Sequence, residues 1–286
     1  MFRSLIFVPG NSIRFVEKAK TLTADIICLD LEDSVPDNEK DAARRIIKET
    51  LMTRRQEYRR PLYVRTNSRE SGLIPTDLKA VLQDGVEGIV VPKVSDAYEI
   101  VEVKKHIVTL ETERKVGKIV LMPSIETARG VVNAHSIASA DERINAIIFG
   151  VFDFLYDMRL DYDEHDPVRH SYARAKVPVD ARAAGVEAID AIWQKVDDID
   201  GLIRDATMAK RLGYSGKSII HPSQINPVHK VFRPSKNEIE WAKKVVQKLG
   251  EAMKNGTGRG AVRLEGRMID AVHYKQARAI LDAAEE

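Results

Sequence analysis

Short runs rich in Val, Ile and Leu alternate with longer stretches of helical period from the N-terminus to about residue 220. The runs read Leu5–Gly10, Ile26–Asp33, Leu62–Asn67, Gly88–Val94, Ile119–Glu126 and Ala146–Asp153, then Val186–Ile192 and Ser218–Ile220. They are continuously apolar rather than strictly alternating, as expected for strands buried on both faces. Between them the pattern predicts helices from an Asn11 or Ser12 cap to about Leu22, over Glu39–Met52, near Asp77–Leu82, and from a Ser95/Asp96 cap to about Leu110. Further helices are predicted over Ala128–Ala138, Val168–Ala184 and Gly201–Leu212. Eight strand–helix units of this spacing predict an α/β protein with a parallel sheet, closed as a TIM (β/α)8 barrel. An open doubly wound sheet is the structural alternative.

From Pro234 the pattern changes, which divides the chain into a barrel over 1–233 and a C-terminal helical extension over 234–286. Ser235 and Glu238 have capping-box spacing ahead of a helix whose one face carries Ile239, Ala242, Val246, Leu249 and Met253. A glycine-rich stretch, Asn255–Gly260, a short segment, Ala261–Asp270, and a last helix follow. Such an extension is either a lid or oligomer arm or a packed helix pair without a catalytic part, and the pattern alone leaves both open.

The composition narrows the classes. A hydrophobic content of 44% in 286 residues suffices for a sizeable core. The net charge of +2 gives no global field for nucleic acid or an anionic membrane. No run approaches the ~18 apolar residues of a membrane helix. The N-terminus enters a strand without the long apolar region of a signal peptide, so a cytoplasmic protein is expected. The single cysteine, Cys28, excludes an intrachain disulfide and reads as a small buried hydrophobe.

Charged side chains recur at the C-terminal ends of the apolar runs: Glu32 and Asp33, Arg65, Lys93, Glu126 and Asp153, with His221 after the last. In a closed parallel barrel these exits converge on one rim, where the fold builds its sites. Glu126 and Asp153 leave neighbouring strands, and two such carboxylates can hold Mg²⁺ with water and substrate oxygens in its other positions. The competing reading is a pair of solvated loop acids or helix caps. Arg65 can grip a carboxylate in a bidentate fork or pair structurally with Glu32 or Asp33. Lys93 reads as balancing the acidic rim rather than as a Schiff-base lysine, because acidic neighbours keep an ammonium protonated. Pro9-Gly10-Asn11-Ser12, with Arg14 beside it, can receive an anion but is neither a Walker sequence nor GxGxxG. His221 reads as structural. No HExxH, paired CxxC or histidine cluster points to zinc.

Seven segments in order resemble the citrate lyase beta-subunit-like family, which includes malyl-CoA and citramalyl-CoA lyases. They are Leu5-Ile6-Phe7-Val8-Pro9-Gly10-Asn11, Leu29-Asp30-Leu31-Glu32-Asp33-Ser34-Val35, Val64-Arg65-Thr66-Asn67, Val91-Pro92-Lys93-Val94, Ser124-Ile125-Glu126-Thr127, Gly150-Val151-Phe152-Asp153 and Gly216-Lys217-Ser218-Ile219-Ile220-His221-Pro222-Ser223-Gln224-Ile225. The resemblance implies a Mg²⁺-dependent (Mn²⁺ as substitute) TIM-barrel lyase acting on coenzyme A thioesters. It implies Glu126 and Asp153 as metal ligands, Arg65 on the carboxylate of a 2-oxoacid, and backbone near Gly150 and Asp153 completing that pocket. It further implies a lid aspartate, matched by Asp270 in Gly266-Arg267-Met268-Ile269-Asp270, and a homotrimer or a dimer of trimers. Two features depart from the pattern: bulky Phe152 beside the metal aspartate, and the acidic loop Asp157–Asp166. Four other readings compete: a citrate lyase beta subunit acting on an acyl-carrier protein, a malyl-CoA thioesterase, a non-catalytic CoA-ester-binding protein, and an aldolase using Lys93.

Overall fold

The computed structural model describes residues 2–163, 166–254 and 261–285, with backbone only at 253, 254 and 285. The chain separates into two compact units, Met1–His229 and Lys230–Glu286. The glycine-rich stretch Asn255–Gly260, and residues 164 and 165 of the acidic loop, lie outside the described residues.

The first unit is a closed barrel of eight parallel strands in sequential order. Its elements are β1 (Ser4–Pro9), α1 (Ile13–Ala19), β2 (Ile26–Asp30), α2 (Lys40–Arg54), β3 (Leu62–Arg65), α3 (Ile74–Val81), β4 (Gly88–Val91), α4 (Ala97–Arg114), β5 (Val120–Ile125), α5 (Ala128–Ala138) and β6 (Ala146–Phe149). They continue with α6 (Val151–Asp157), α7 (Val168–Ala184), β7 (Glu187–Asp190), α8 (Ile199–Leu212), β8 (Gly216–Ile219) and α9 (Ile225–Phe232). Pairing of β1 with β8, Leu5 opposite Ser218, closes the ring and rules out the open sheet. Helix starts carry local caps: Asp96, Thr127 and Asp198 accept from the N–H groups of Tyr98, Gly130 and Gly201.

Alternation along the strands sorts two layers. Leu5, Ile26, Cys28, Tyr63, Val90, Met122, Ala146, Ile148 and Ile189 fill the barrel interior. Cys28 is fully buried there, and burial pushes its thiol far up, so it packs as a neutral hydrophobe. The residues between point outward under the helices, and two of these outward positions, Asp190 and Lys217, are charged. Lys217 on β8 donates to Asp190 on β7 at 2.6 Å and to Asp205 on α8 at 2.5 Å. Arg174 on α7 forks onto Asp190 at 2.9 and 2.7 Å and reaches Asp205 at 2.8 Å. Two cations and two carboxylates thus neutralise one another between sheet and helices, which makes burial of charge tolerable. At the N-terminal end Ser4 Oγ lies 2.7 Å from His229 Nε2 and accepts from Asp25 N–H at 3.0 Å, a closure of the barrel floor.

Strand ends differ from the sequence reading by a few residues, and one difference matters. The apolar run expected as a strand to Asp153 stops at Phe149, where Gly150 N–H donates to Ile125 O and the chain turns into α6. Val151, Phe154 and Leu155 are buried at helical spacing, so the period changes from two to 3.6 within an uninterrupted apolar run. Asp153 therefore sits in the first turn of a helix and not at a strand end. Helix α9 was also not expected.

The second unit comprises α10 (Lys236–Lys254), β9 (Ala261–Leu264), β10 (Arg267–Asp270) and α11 (Ala271–Glu285). Ala242, Val245, Leu249, Ile269 and Ala277 form its core. The short segment Ala261–Asp270 is an antiparallel hairpin whose two turn residues, Glu265 and Gly266, both have positive φ, +45° and +81°. Among the described residues no helix is long and apolar enough to cross a membrane.

Asp205 links this fold to pH. Burial opposes its ionisation, but Lys217 and Arg174 overcome that and hold the carboxyl at about 2, below its ordinary 3.8. A depressed folded-state value contributes stability fully above the unfolded value and loses it as pH falls from about 4 towards 2. Asp205→Asn is expected to cost about 2–4 kcal/mol at pH 7 by leaving buried cations short of a partner. It should also flatten that acid limb, and urea denaturation from pH 7 to pH 2 measures both.

Candidate active site

A cavity of about 400 Å³ opens at the C-terminal end of the barrel. Asp30, Arg65, Glu126, Gly150, Phe152 and Asp153 all line it. At its base is a pair that the sequence reading assigned differently. Arg65 Nε and Nη2 donate to Asp30 Oδ1 and Oδ2 at 2.6 and 2.7 Å, a bidentate fork between adjacent strands. Asp30 is fully buried and also accepts from Glu32 N–H at 2.9 Å and from the hydroxyl of Ser34 at 2.5 Å. Burial opposes ionisation of Asp30, yet Arg65, Ser34 and Glu32 N–H hold its carboxyl below the usual range. The expected partners Glu32 and Asp33 are secondary, at 3.1 and 3.6 Å from Arg65 Nη1. Arg65 also lies over the Phe7 ring, 4.5 Å from its centroid. Asp30 was detectable: it shares the inward alternation of Ile26 and Cys28, whereas Glu32 and Asp33 stand beyond the strand.

Glu126 follows β5 and is buried; its Oε2 has no hydrogen-bond partner among the described residues. Burial first, then the charges of Glu32 and Asp153, push its carboxyl up to about 8 against the pull of Arg65 and Lys93. Gly150 makes room for it. A Cβ on Gly150 would stand 2.5 Å from Glu126 Cγ, closer than atoms can pack. The N–H of Gly150 is already committed to Ile125 O. Asp153, in the first turn of α6, lines the same cavity. Among the described residues no cluster of three or more His, Cys, Asp or Glu can enclose an ion. Two acids with open positions remain, a donor set that suits a hard, partly hydrated divalent cation.

Lys93 occupies the left-handed region at φ +54°, a strained conformation for a side-chain-bearing residue. It places Nζ 2.8 Å from Glu32 Oε1, 3.2 Å from Asp33 Oδ1 and 3.3 Å from Asp153 Oδ1. Burial works against its charge, but Glu32, Asp33 and Asp153 outweigh that and hold the ammonium protonated. Glu32 is itself raised to about 7, by burial first and by Asp33, against Arg65 and Lys93. Buried Lys40 fixes the same loop by donating to the carbonyls of Leu31 and Glu32, both at 2.8 Å.

The other expected residues lie elsewhere. Arg14 is exposed on α1, 5.0 Å over the Phe15 ring, and does not line this cavity. His221 Nδ1 contacts Ser223 Oγ at 2.8 Å and caps its own turn. Asp270 belongs to the second unit, where Oδ1 lies 2.7 Å from His273 Nδ1 and accepts from Val272 N–H at 3.0 Å. The His273 ring and the N–H groups of the first turn of α11 hold that carboxyl below the usual range. Phe152 packs against Tyr162, ring centroids 4.7 Å apart. Ser34, Ser124 and Ser218 also line the cavity and were not anticipated.

A model of the HpcH/HpaI aldolase/citrate lyase family matches residues 3–222. The chain is 33% identical to the citrate lyase subunit beta of Escherichia coli K12, over 99% of this chain and 93% of that one. It is 33% identical to a mitochondrial citramalyl-CoA lyase of Rattus norvegicus, over 99% and 86%. Identity to a (3S)-malyl-CoA thioesterase of Cereibacter sphaeroides is 32%, over 99% and 95%. Among solved structures, the CitE protein of Mycobacterium tuberculosis in complex with magnesium, acetoacetate and coenzyme A superposes with a TM-score of 0.81 at 28% identity, covering 100% of this chain and 98% of that one.

The fork at the base of the cavity can be tested by itself. Asp30→Asn removes one partner of a buried ion pair and is expected to cost about 3–5 kcal/mol. Chemical denaturation at pH 7 gives the value; a loss below about 1 kcal/mol would show that Arg65 does not depend on Asp30.

Proposed function

The chain belongs to the HpcH/HpaI aldolase/citrate lyase family, and from that membership we propose that it is a divalent-metal-dependent carbon–carbon lyase. It cleaves, or forms by condensation, a 3-hydroxyacyl-CoA such as malyl-CoA or citramalyl-CoA; the cleavage products are a short acyl-CoA and a 2-oxoacid. One observation carries the reading: a buried carboxylate oxygen with no hydrogen-bond partner among the described residues, Glu126 Oε2, belongs to a residue lining the same cavity as Asp153 and the oriented guanidinium of Arg65. A buried, unpaired carboxylate is costly unless it takes a proton or a cation. Magnesium and coenzyme A in the complex of the CitE protein support the same assignment.

In this reading Glu126 and Asp153 hold Mg²⁺, or Mn²⁺ in its place, and Gly150 keeps the space that Glu126 needs. The ion supplies Lewis-acid polarisation of substrate oxygens and offsets negative charge that develops as the bond breaks. Arg65 binds the carboxylate next to the hydroxyl-bearing carbon, with Asp30 fixing its plane. The substrate hydroxyl passes its proton to water and becomes the oxo group of the 2-oxoacid. The electron pair of the breaking carbon–carbon bond passes to the acyl fragment as its enolate. Asp270, from the same or a neighbouring subunit of a trimer or hexamer, protonates the enolate carbon; in condensation it removes that proton. Lys93 and Glu32 keep Asp153 and the rim loop in place around these steps.

Three experiments test the reading. The lone purified chain, Mg²⁺, acetyl-CoA or propionyl-CoA, and glyoxylate, pyruvate or oxaloacetate are expected to give a condensed thioester by mass. Free CoA plus the hydroxyacid instead would favour a thioesterase, and activity only with an acyl-carrier protein a citrate lyase subunit. Glu126→Gln and Asp153→Asn should each abolish both turnover and any Mg²⁺-dependent rise in melting temperature. Asp270→Ala should lower kcat by at least about 10²-fold while ligand binding survives; unchanged kcat removes Asp270 from the mechanism.

A further inference from the structure

The charged groups of the cavity come from β2, β3, β5 and α6, whereas the wall formed by β1 and by the exits of β7 and β8 is nearly apolar. Phe7, Pro9, Ile192 and Ile220 build that wall, with Gln194 and Ser218 as its polar members. Ser218 stands out. It lies opposite Leu5, an interior residue, so its side chain points into the barrel. It is 1% exposed, and its Oγ has no hydrogen-bond partner among the described residues. Of the buried, unpartnered side-chain oxygens described, only Ser218 Oγ and Glu126 Oε2 belong to residues lining this cavity. An unpaired buried hydroxyl destabilises a fold, and alanine would fill the same place beside Leu5 without that cost.

We infer that Ser218 is a substrate-contacting residue, whose hydroxyl donates a hydrogen bond to a carbonyl or carboxylate oxygen of the small oxoacid bound in this cavity. The inference rests on the reading of the cavity as an oxoacid site. Arg65 would fix one end of such a molecule, and Glu126 and Asp153 would hold the cation that offsets its charge. A third contact from β8, three strands round the barrel from β5, sets its orientation. Because the hydroxyl is neutral, it adds direction to binding without adding charge to an already crowded ionic cluster.

The test is calorimetric titration of the wild type, Ser218→Ala and Ser218→Cys with pyruvate, glyoxylate and oxaloacetate, each in the presence of Mg²⁺, alongside melting temperatures without ligand. Ser218→Ala is expected to keep or raise the melting temperature and to weaken the best-bound acid about 3- to 10-fold, the value of one neutral hydrogen bond. Ser218→Cys, a weaker donor of similar size, should fall between the two and carries the measurement if the alanine variant folds poorly. Equal affinity in the wild type and the variants overturns the inference, and so does a lowered melting temperature with unchanged affinity. If the wild type binds none of the three acids, the parent reading fails and this assignment with it, a result seen before any variant is compared.

Discussion

The Asp30–Arg65 fork is the interaction on which the rest of the site depends. A guanidinium inside a barrel is unaffordable without a carboxylate of matching geometry, and Asp30 supplies one on the adjacent strand, itself fixed by Ser34 and by Glu32 N–H. The fork consumes Nε and Nη2, so it sets the plane of the guanidinium and leaves Nη1 near Glu32 and Asp33. The loop that supplies Glu32 and Asp33 is anchored in turn by Lys40 through two carbonyls. A chain of buried contacts therefore runs from α2 to the centre of the cavity, and the position of Arg65 owes little to solvent-exposed groups.

Charge is distributed unequally around this centre. Among the described residues, the side-chain ion pairs of Asp30, Glu32, Asp33 and Asp153 are with Arg65 and Lys93, and unpaired Glu126 stands beside them. Lys93 spreads its charge over three carboxylates from a strained backbone. The remaining imbalance falls on Glu126, which burial and its acidic neighbours push up to about 8. The outer network of Lys217, Arg174, Asp190 and Asp205 is balanced and closed. That contrast separates a buried ionic cluster that serves packing from one that is completed by something it binds.

Much of this was legible in the chain. Continuous Val/Ile/Leu runs at regular spacing specify a buried parallel sheet, and the charged residues that end them are the ones at the rim. Asp30 was passed over because a carboxylate inside an apolar strand contradicts burial until its partner, Arg65, is seen on the next strand. Helix α6 was hidden because Val151 and Phe152 extend an apolar run; only the spacing of Val151, Phe154 and Leu155 signals a helix. The hairpin of β9 and β10 is short, and its turn depends on a glutamate in the left-handed region, which no propensity favours. Ser218 could not be singled out from sequence, since an unpaired hydroxyl is a property of its surroundings.

Gly150 carries a consequence beyond its own turn. Its missing Cβ is filled by the methylene of Glu126, so the two positions share one volume across neighbouring strands. The constraint acts on position 150: a side chain there is compatible only with a shorter acid at 126, which would draw the carboxylate back from the centre of the barrel. Across related sequences the two sites should therefore covary as a pair, glycine with glutamate or a larger residue with aspartate.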